Sequence, residues 1–415
     1  MSGTVHIIGA GLAGLSAAVR LSSLGRTVVV HEATSFAGGR CRSYHDASVG
    51  MTIDNGNHLL LSGNLAALAY LRSIGAADRL VGPPSAEFSF VDLAGGKRWT
   101  LRFNDGRIPF WVFDPKRRVP GTHVLDYAPL ARLLWPPAGK TVGEVIACEG
   151  ALYRRLVEPL LLAALNIDAP QGAARLAGAV IRETLAVGGR ACRPLIAREG
   201  LGATLIEPAL AHLRGRGVVV RMEHQLRALR LAADRAEALE FGGETIALDA
   251  GDAVILAVPP YIAASLVRGL DVPTEFRAIV NAHFRIEPPA ALPAILGVLN
   301  ATVQWIFAFP GRVSITVSAG DRLIDTPREQ LAKTVWDEVA RVTGLPAALP
   351  PWQIVRERRA TFAATPAQDA RRPHPTTQWR NLVLAGDWTD TGLPATIEGA
   401  IRSGNRAADI IAKLP

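Results

Sequence analysis

Apolar positions along the chain fall into short continuous runs separated by longer runs with helical spacing. Val5, Ile7 and Ile8 flank His6 in a stretch that predicts a buried strand, and Leu15 to Leu24 repeats apolar residues at helical spacing up to Gly25. Thr27 to His31 predicts a second strand. Far along the chain, Asp252 leads into Ala253-Val254-Ile255-Leu256-Ala257-Val258, halted by Pro259-Pro260, an apolar run of the kind buried on both faces of a parallel sheet. Gly217 to Arg221, followed by Leu226, predicts a strand pair, and Leu382-Val383-Leu384-Ala385 another short buried strand before a helical pattern that runs to Leu414. Strand and helix in alternation predict the α/β class, a doubly wound sheet.

The turns between these elements carry the first chemical signal. Gly9-Ala10-Gly11-Leu12-Ala13-Gly14 stands between strand and helix, where Gly9 makes the tight turn, Gly11 lets a pyrophosphate approach and Gly14 allows close helix packing. The N–H groups at Leu12 and Ala13 then face the phosphates. Glu32 ends the second strand, 18 residues after Gly14, in place to accept hydrogen bonds from a ribose. Gly38-Gly39-Arg40 follows, a second point of close backbone approach with a cation beside it. Gly200-Leu201-Gly202 lacks a third glycine and has no predicted strand before it, so a second dinucleotide site is not expected.

Composition narrows the class. The 415 residues are 49% hydrophobic and 20% charged with mean hydropathy +0.20, which excludes a disordered chain and allows two or three domains. Net charge is +8, but lysine occurs only at 97, 116, 140, 333 and 413 and the arginines are scattered, so no nucleic-acid partner is expected. Cys41, Cys148 and Cys192 have neither disulfide nor zinc spacing; no metal is expected, and a reducing compartment fits. With no signal-peptide pattern at the N-terminus and no apolar run of spanning length, the expected location is cytoplasmic.

The glycine turn, Glu32 and the Gly-Gly-Arg motif together resemble the amine oxidase and phytoene desaturase superfamily of FAD enzymes. So does Gly386-Asp387-Trp388 with Thr396-Ile397-Glu398 near the C-terminus. That resemblance implies FAD as cofactor on a Rossmann-like domain of the glutathione-reductase type. It implies binding by Gly9, Gly11, Leu12, Ala13, Gly14, Glu32, Gly38, Gly39, Arg40 and Gly56. It further implies an adenine contact through the backbone of Leu226, a ribityl contact from Gly386 and Asp387, and N–H groups around Thr396 and Ile397 at the pyrimidine end. The FAD domain is then discontinuous, residues 1–70, 195–270 and 370–415, and residues 71–194 and 271–369 form an inserted α+β substrate domain.

The resemblance extends over nearly the whole chain. Asp54 to Asn64, Arg118-Val119-Pro120-Gly121-Thr122, Ile279 to Phe284, Trp305 to Phe309 and Glu357 to Phe362 are similar to the squalene-associated FAD enzymes of hopanoid biosynthesis, the hydroxysqualene dehydroxylases. It implies a triterpenoid substrate, hydroxysqualene, reduced to squalene by hydride from the flavin, with the electron donor left open. A phytoene or carotene desaturase shares fold and cofactor, and a triterpene-binding partner with structural FAD is a further alternative. An amine oxidase is disfavoured because Thr396 stands where that group places a cage tyrosine. Departure of water from an allylic carbon calls for a hydrogen-bond donor and for exclusion of bulk water. His58 is the first candidate donor and Asp390 the second, with Asn57 placed to orient flavin or hydroxyl, and Trp305 or Phe307 to face a cation. Segment 107–137 mixes Phe110, Trp111, Val112, Phe113, Leu130, Leu133, Leu134 and Trp135 with Lys116, Arg117, Arg118 and Arg132. It reads either as a peripheral contact with the inner face of the plasma membrane or as the substrate domain's own core.

Overall fold

The computed structural model describes residues 3–414 and places the first glycine turn at the middle of a five-stranded parallel sheet. Strand β1 (Thr4–Ile8) lies between β2 (Thr27–His31) and strand Ala253–Leu256, with Val219–Arg221 and Leu382–Leu384 at the edges. Helix α1 (Leu12–Ser23) begins three residues before the predicted Leu15 and covers one face together with the C-terminal helix Ile397–Ala412. The two helices touch closely because Gly404 has no side chain: a Cβ there would lie 2.1 Å from the Ala13 carbonyl oxygen. Val5, Ile7, Leu15, Ile255, Ile401 and Ile411 fill the layer between sheet and helices.

Two sequence expectations are corrected. Val219–Arg221 and Leu226–Leu231 do not pair: the first extends the parallel sheet beside β2, and the second joins an antiparallel three-stranded sheet with Ala236–Phe241 and Thr245–Ala247. The polar turn between them diverts the chain because Glu32 N–H donates to the Arg221 carbonyl at 2.8 Å and His224 N–H to the Glu32 carbonyl at 2.8 Å. A strand does precede Gly200. Pro194–Ala197 pairs antiparallel with Leu59–Leu61 and Leu80–Val81, outside the parallel sheet, so the turn after it does not repeat the dinucleotide arrangement.

The second large element is a seven-stranded mixed sheet whose strands come from residues 87–102 and 276–362. Its alternation is strict: in Trp305–Phe309, Trp305, Phe307 and Phe309 face one apolar cluster and Ile306 the other. One face is covered by helix Arg328–Thr343, with Trp336 fully buried. The other packs on helices Glu158–Leu165 and Ala174–Glu183 and on the 3-10 turn Val124–Leu133. The core on that side reaches Trp388, next to Asp387, so one apolar layer runs from the helical insertion to the end of strand Leu382–Leu384.

Candidate flavin and substrate site

Main-chain geometry builds the nucleotide end. Gly9 has φ +107° and a Cβ there would stand 2.5 Å from the Ala257 carbonyl oxygen; one on Gly14 would stand 1.9 Å from the Gly9 carbonyl oxygen. Gly11 differs, because no protein atom lies within 4 Å of where its Cβ would be. It is the N-cap of α1 and brings no capping side chain, so the first-turn N–H groups, Leu12 and Ala13 among them, open onto free space. The second glycine turn closes the cradle. Gly38 N–H donates to the Ala10 carbonyl at 2.9 Å, Gly38 (φ +110°) bridges to Gly11, and Gly39 backs onto the Gly11 Cα. Glu32 is aimed across the turn, one carboxylate oxygen accepting Ala10 N–H at 2.8 Å and the other Thr34 N–H at 3.0 Å. An open, uncapped helix end with a carboxylate 18 residues after Gly14 fits a dinucleotide diphosphate and its ribose.

The other pieces converge from the far end of the chain. The Arg40 guanidinium holds both oxygens of Asp387 at 2.7 Å and donates to the Ala360 carbonyl at 2.6 Å. The cation and the acid expected to serve different parts of the cofactor thus form one bidentate pair. Burial works against the Arg40 charge, but Asp387 more than offsets it and holds the guanidinium above its ordinary range. Gly386 (φ +145°) admits the Trp388 indole, which donates to the Val258 carbonyl at 2.9 Å. Thr396 caps the C-terminal helix, its Oγ1 accepting Gly399 N–H at 3.0 Å, with Ile397 the first helical residue. Leu226 is buried just after the turn that touches Glu32.

Side chains build the opposite end. Asp54 accepts Ser43 Oγ at 2.5 Å and Leu201 N–H at 2.8 Å and lies 3.5 Å from Arg312, a pair almost wholly buried. Gly56 packs against Asn281, whose Nδ2 would be 3.1 Å from a Cβ at that position. Asn57 Nδ2 donates to the Ile315 carbonyl at 3.1 Å and to Thr316 Oγ1 at 3.2 Å, and the Thr316 hydroxyl donates to Asn281 Oδ1 at 2.8 Å. Both amide hydrogens of Asn57 are therefore used, while its Oδ1, buried, has no partner. An unpaired buried acceptor fits a donor brought in by cofactor or substrate. His58 is partly buried, without a hydrogen-bond partner among the described residues. Desolvation, with some help from Arg40 and against Asp54, pushes its pKa down to about 4, so its imidazole is neutral at pH 7.

Asp390 is engaged elsewhere. It lies 3.2 Å from Arg175, which also grips Asp369 bidentately at 2.7 Å. Asn281, Thr316, Arg312 and His283 were not singled out individually in the sequence. Asn281 and His283 had one available signal, polar residues two apart in an apolar strand and hence on one face. Glu398 was read only as part of the C-terminal motif; its task is to cap helix Leu65–Ser73, accepting Ala66 and Ala67 N–H at 3.0 and 2.8 Å. Burial pushes the Cys41 thiol up to about 12, which removes it as a nucleophile. Among the described residues no His, Cys, Asp and Glu cluster is arranged to hold a metal, and no helix is long and apolar enough to cross a membrane.

Residues 12–412 match the family described as flavin containing amine oxidoreductase, and the chain belongs to that family. A flavin carried on a dinucleotide fold is FAD, and the protein is an FAD-dependent oxidoreductase. The chain is 62% identical over 412 residues to a protein of Rhodopseudomonas palustris named hydroxysqualene dehydroxylase, covering 99% of each. It is 58% identical over 410 residues to one of the same name from Sinorhizobium fredii, covering 99% of this chain and 98% of that one. A cofactor-binding variant of putrescine oxidase superposes with a TM-score of 0.73 at 17% identity over 99% of both chains, a likeness of fold.

Proposed function

We propose that the protein removes the hydroxyl of hydroxysqualene to give squalene, using FAD reduced by an external electron donor. The observation that carries this reading is the 62% identity over essentially the full length of both chains, with the glycine cradle and its carboxylate intact. Residues 1–70, 195–270 and 370–415 hold the cofactor, and 71–194 and 271–369 enclose the substrate. Within the first group, the FAD contacts are Gly9, Gly11, Leu12, Ala13, Gly14, Glu32, Gly38, Gly39, Arg40, Gly56, Leu226, Gly386, Asp387, Thr396 and Ile397. The enzyme is cytoplasmic and works peripherally at the inner face of the plasma membrane.

Reduced FAD, when bound, would supply both the hydride that replaces the hydroxyl and, as the neutral two-electron-reduced flavin, the proton with which the hydroxyl leaves as water. The chain has to orient the hydroxyl, donate a hydrogen bond to it and keep bulk water away. Asn57 Oδ1 is the only capacity left on that amide, so it accepts the hydroxyl hydrogen and turns the oxygen lone pairs away from itself. His58, neutral at pH 7, meets those lone pairs as an N–H donor rather than as a resident cation. Asp390, committed to Arg175, holds the loop before Thr396. Trp305 and Phe307, buried on the sheet face that looks toward the helical insertion, supply aromatic faces for an allylic cation and a dry wall.

The test is a single turnover: photoreduce the bound flavin without oxygen, add hydroxysqualene, and follow the flavin absorbance and the mass of the extracted lipid. Reoxidation with loss of one oxygen from the lipid supports the reading. A flavin that stays reduced with hydroxysqualene but bleaches from the oxidised form with a saturated polyprene would replace it with desaturation. His58→Ala with bound FAD and unchanged turnover would remove His58 from the mechanism.

A further inference from the structure

Segment 107–135 sorts its apolar side chains into two opposed sets. Trp111, Val112 and Leu133 turn inward and are buried in the core that continues to Trp305, Phe307 and Trp388. Ile108, Phe110, Phe113, Leu125 and Trp135 turn outward; among the described residues they are five of the ten large exposed hydrophobic side chains, and Leu125 and Trp135 are 82% and 79% exposed. Phe110 and Phe113 share a face because the short 3-10 turn Phe110–Phe113 eclipses positions three apart. The 3-10 turn Val124–Leu133 lies beside it and brings Leu125 and Trp135 at its two ends.

The outward set is held on a braced backbone. Asn104 donates to the Gly106 and Ile108 carbonyls at 3.1 and 2.8 Å and accepts Trp111 N–H at 3.1 Å. The Tyr127 hydroxyl accepts Val119 N–H at 3.0 Å, and its ring lies edge-on to Trp111, centroids 5.4 Å apart. Five large exposed apolar side chains within residues 108–135, carried on two adjacent and braced 3-10 turns, point to a contact site.

Charge selects the occupant. The segment holds Arg107, Lys116, Arg117, Arg118 and Arg132 against Asp114 and Asp126. Both acids are turned to backbone N–H groups, of Lys116 at 2.9 Å and His123 at 2.7 Å. The flanking ion pairs are Arg102–Glu87 and Lys140–Glu144. Between them Arg107, Lys116 and Arg132 are exposed and reach no carboxylate among the described residues. Exposed aromatic and aliphatic side chains interleaved along the chain with unpaired cations match the acyl and headgroup layers of an anionic bilayer.

We propose that Ile108, Phe110, Phe113, Leu125 and Trp135 insert into an anionic lipid bilayer while Arg107, Lys116 and Arg132 meet its headgroups. This deepens the membrane residence proposed above: it names the docking face and the lipid class. The unbroken apolar layer beneath that face, from Trp111 and Leu133 to Trp305 and Trp388, runs toward the cofactor cleft and suits a substrate drawn from the bilayer.

The experiment is co-sedimentation of the FAD-loaded protein with phosphatidylcholine vesicles, with and without phosphatidylglycerol. Three proteins are compared: wild type, the variant Phe113→Ser/Leu125→Ser/Trp135→Ser, and the variant Arg107→Gln/Lys116→Gln/Arg132→Gln. Wild type is expected to sediment with the anionic vesicles, and the cation variant to bind them roughly a hundredfold more weakly. The apolar variant should stay in the supernatant with its flavin spectrum, melting temperature and turnover on detergent-dispersed substrate unchanged. Wild type left in the supernatant, equal binding to neutral vesicles, or an apolar variant that still sediments would each overturn the proposal. So would lipid-free self-association of wild type that the apolar variant loses, which would make this face an interface between copies. Turnover in detergent is scored apart from sedimentation, so failure of the reaction counts against dehydroxylation and not against the docking face.

Discussion

The two ends of the cleft are made of different material. At the nucleotide end, residues 9–14, 32 and 38–39 present main-chain N–H groups and empty space, and only one side chain, Glu32, takes part. At the end proposed for the substrate, the groups are side chains gathered from residues 54–58, 281–283, 312–316 and 357, cross-linked by hydrogen bonds such as Asn55 Nδ2 to Glu357 at 3.1 Å. A backbone site fails when a side chain is added. A side-chain site fails when one is taken away and leaves its buried partner uncompensated.

The sharpest way to break this comparison is a pair of glycine variants. Gly14→Val drives a Cβ to within 1.9 Å of the Gly9 carbonyl oxygen and should lose both stability and FAD. A Cβ at Gly11 would meet no protein atom within 4 Å, so the Gly11→Val apoprotein should melt near the wild-type temperature. Its methyl groups occupy the space left for the diphosphate, and FAD affinity should fall by about a hundredfold, the loss of roughly two charge-assisted hydrogen bonds. Apoprotein melting curves and fluorescence titration with FAD separate the two. A Gly11 variant that melts early would mean that this glycine serves the fold, as Gly14 does.

That contrast also explains what was legible beforehand. Glycine is informative residue by residue, because a φ of +107° at Gly9 or a carbonyl 1.9 Å from a missing Cβ leaves no alternative side chain. Strand, turn, helix and acid also lie within 30 consecutive residues, so their spacing could be read along the chain. The polar island around Asn57 obeys no such spacing. Asn281 and Thr316 meet it only because strands Phe276–Arg285 and Arg312–Val317 pair in one register, Asn281 opposite Thr316. Strand partners more than 200 residues away from Asn57 leave no local trace. The Arg40–Asp387 pair was hidden for the same reason: each residue was seen, but not that they face each other across 347 positions.

The next largest effect is expected where charge is buried. Asp54→Ala leaves Arg312 buried without its carboxylate and should cost about 3–5 kcal/mol, read from urea denaturation. The double variant Asp54→Leu/Arg312→Met removes both charges and should recover much of that loss. If it does not, the Asp54 bonds to Ser43 and Leu201, rather than the ion pair, carry the stability.

Protonation probes the same end with a smaller signal. Burial, helped by His6, His224 and Arg221, pushes the His31 pKa down to about 3, and burial with Arg312 does the same to His283. In the unfolded chain both return to about 6.5. A depressed folded pKa contributes stability that is intact above pH 6.5 and is lost as pH falls toward 3, because the unfolded chain takes up the proton and the folded one resists it. Each histidine should withdraw about 2 kcal/mol by pH 5. His283→Gln should flatten the fall in melting temperature between pH 7 and pH 5, and a variant curve parallel to wild type would show that His283 is not the group that titrates.

The smallest effect tests where backbone and side chain meet. Both helices proposed to meet the cofactor do so with their N-termini, yet Gly11 brings no side chain to the first-turn N–H groups of α1, whereas Thr396 Oγ1 takes the Gly399 N–H at 3.0 Å for its own helix. Thr396→Val removes that cap and should cost about 1 kcal/mol of stability, while Thr396→Ser restores it. FAD affinity should change far less than in Gly11→Val, because the N–H groups at Thr396 and Ile397 belong to the main chain and survive the substitution. If Thr396→Val instead weakens FAD binding as much as the Gly11 variant does, the Thr396 hydroxyl itself contacts the cofactor. The pyrimidine end would then belong with the side-chain half of the site rather than the backbone half.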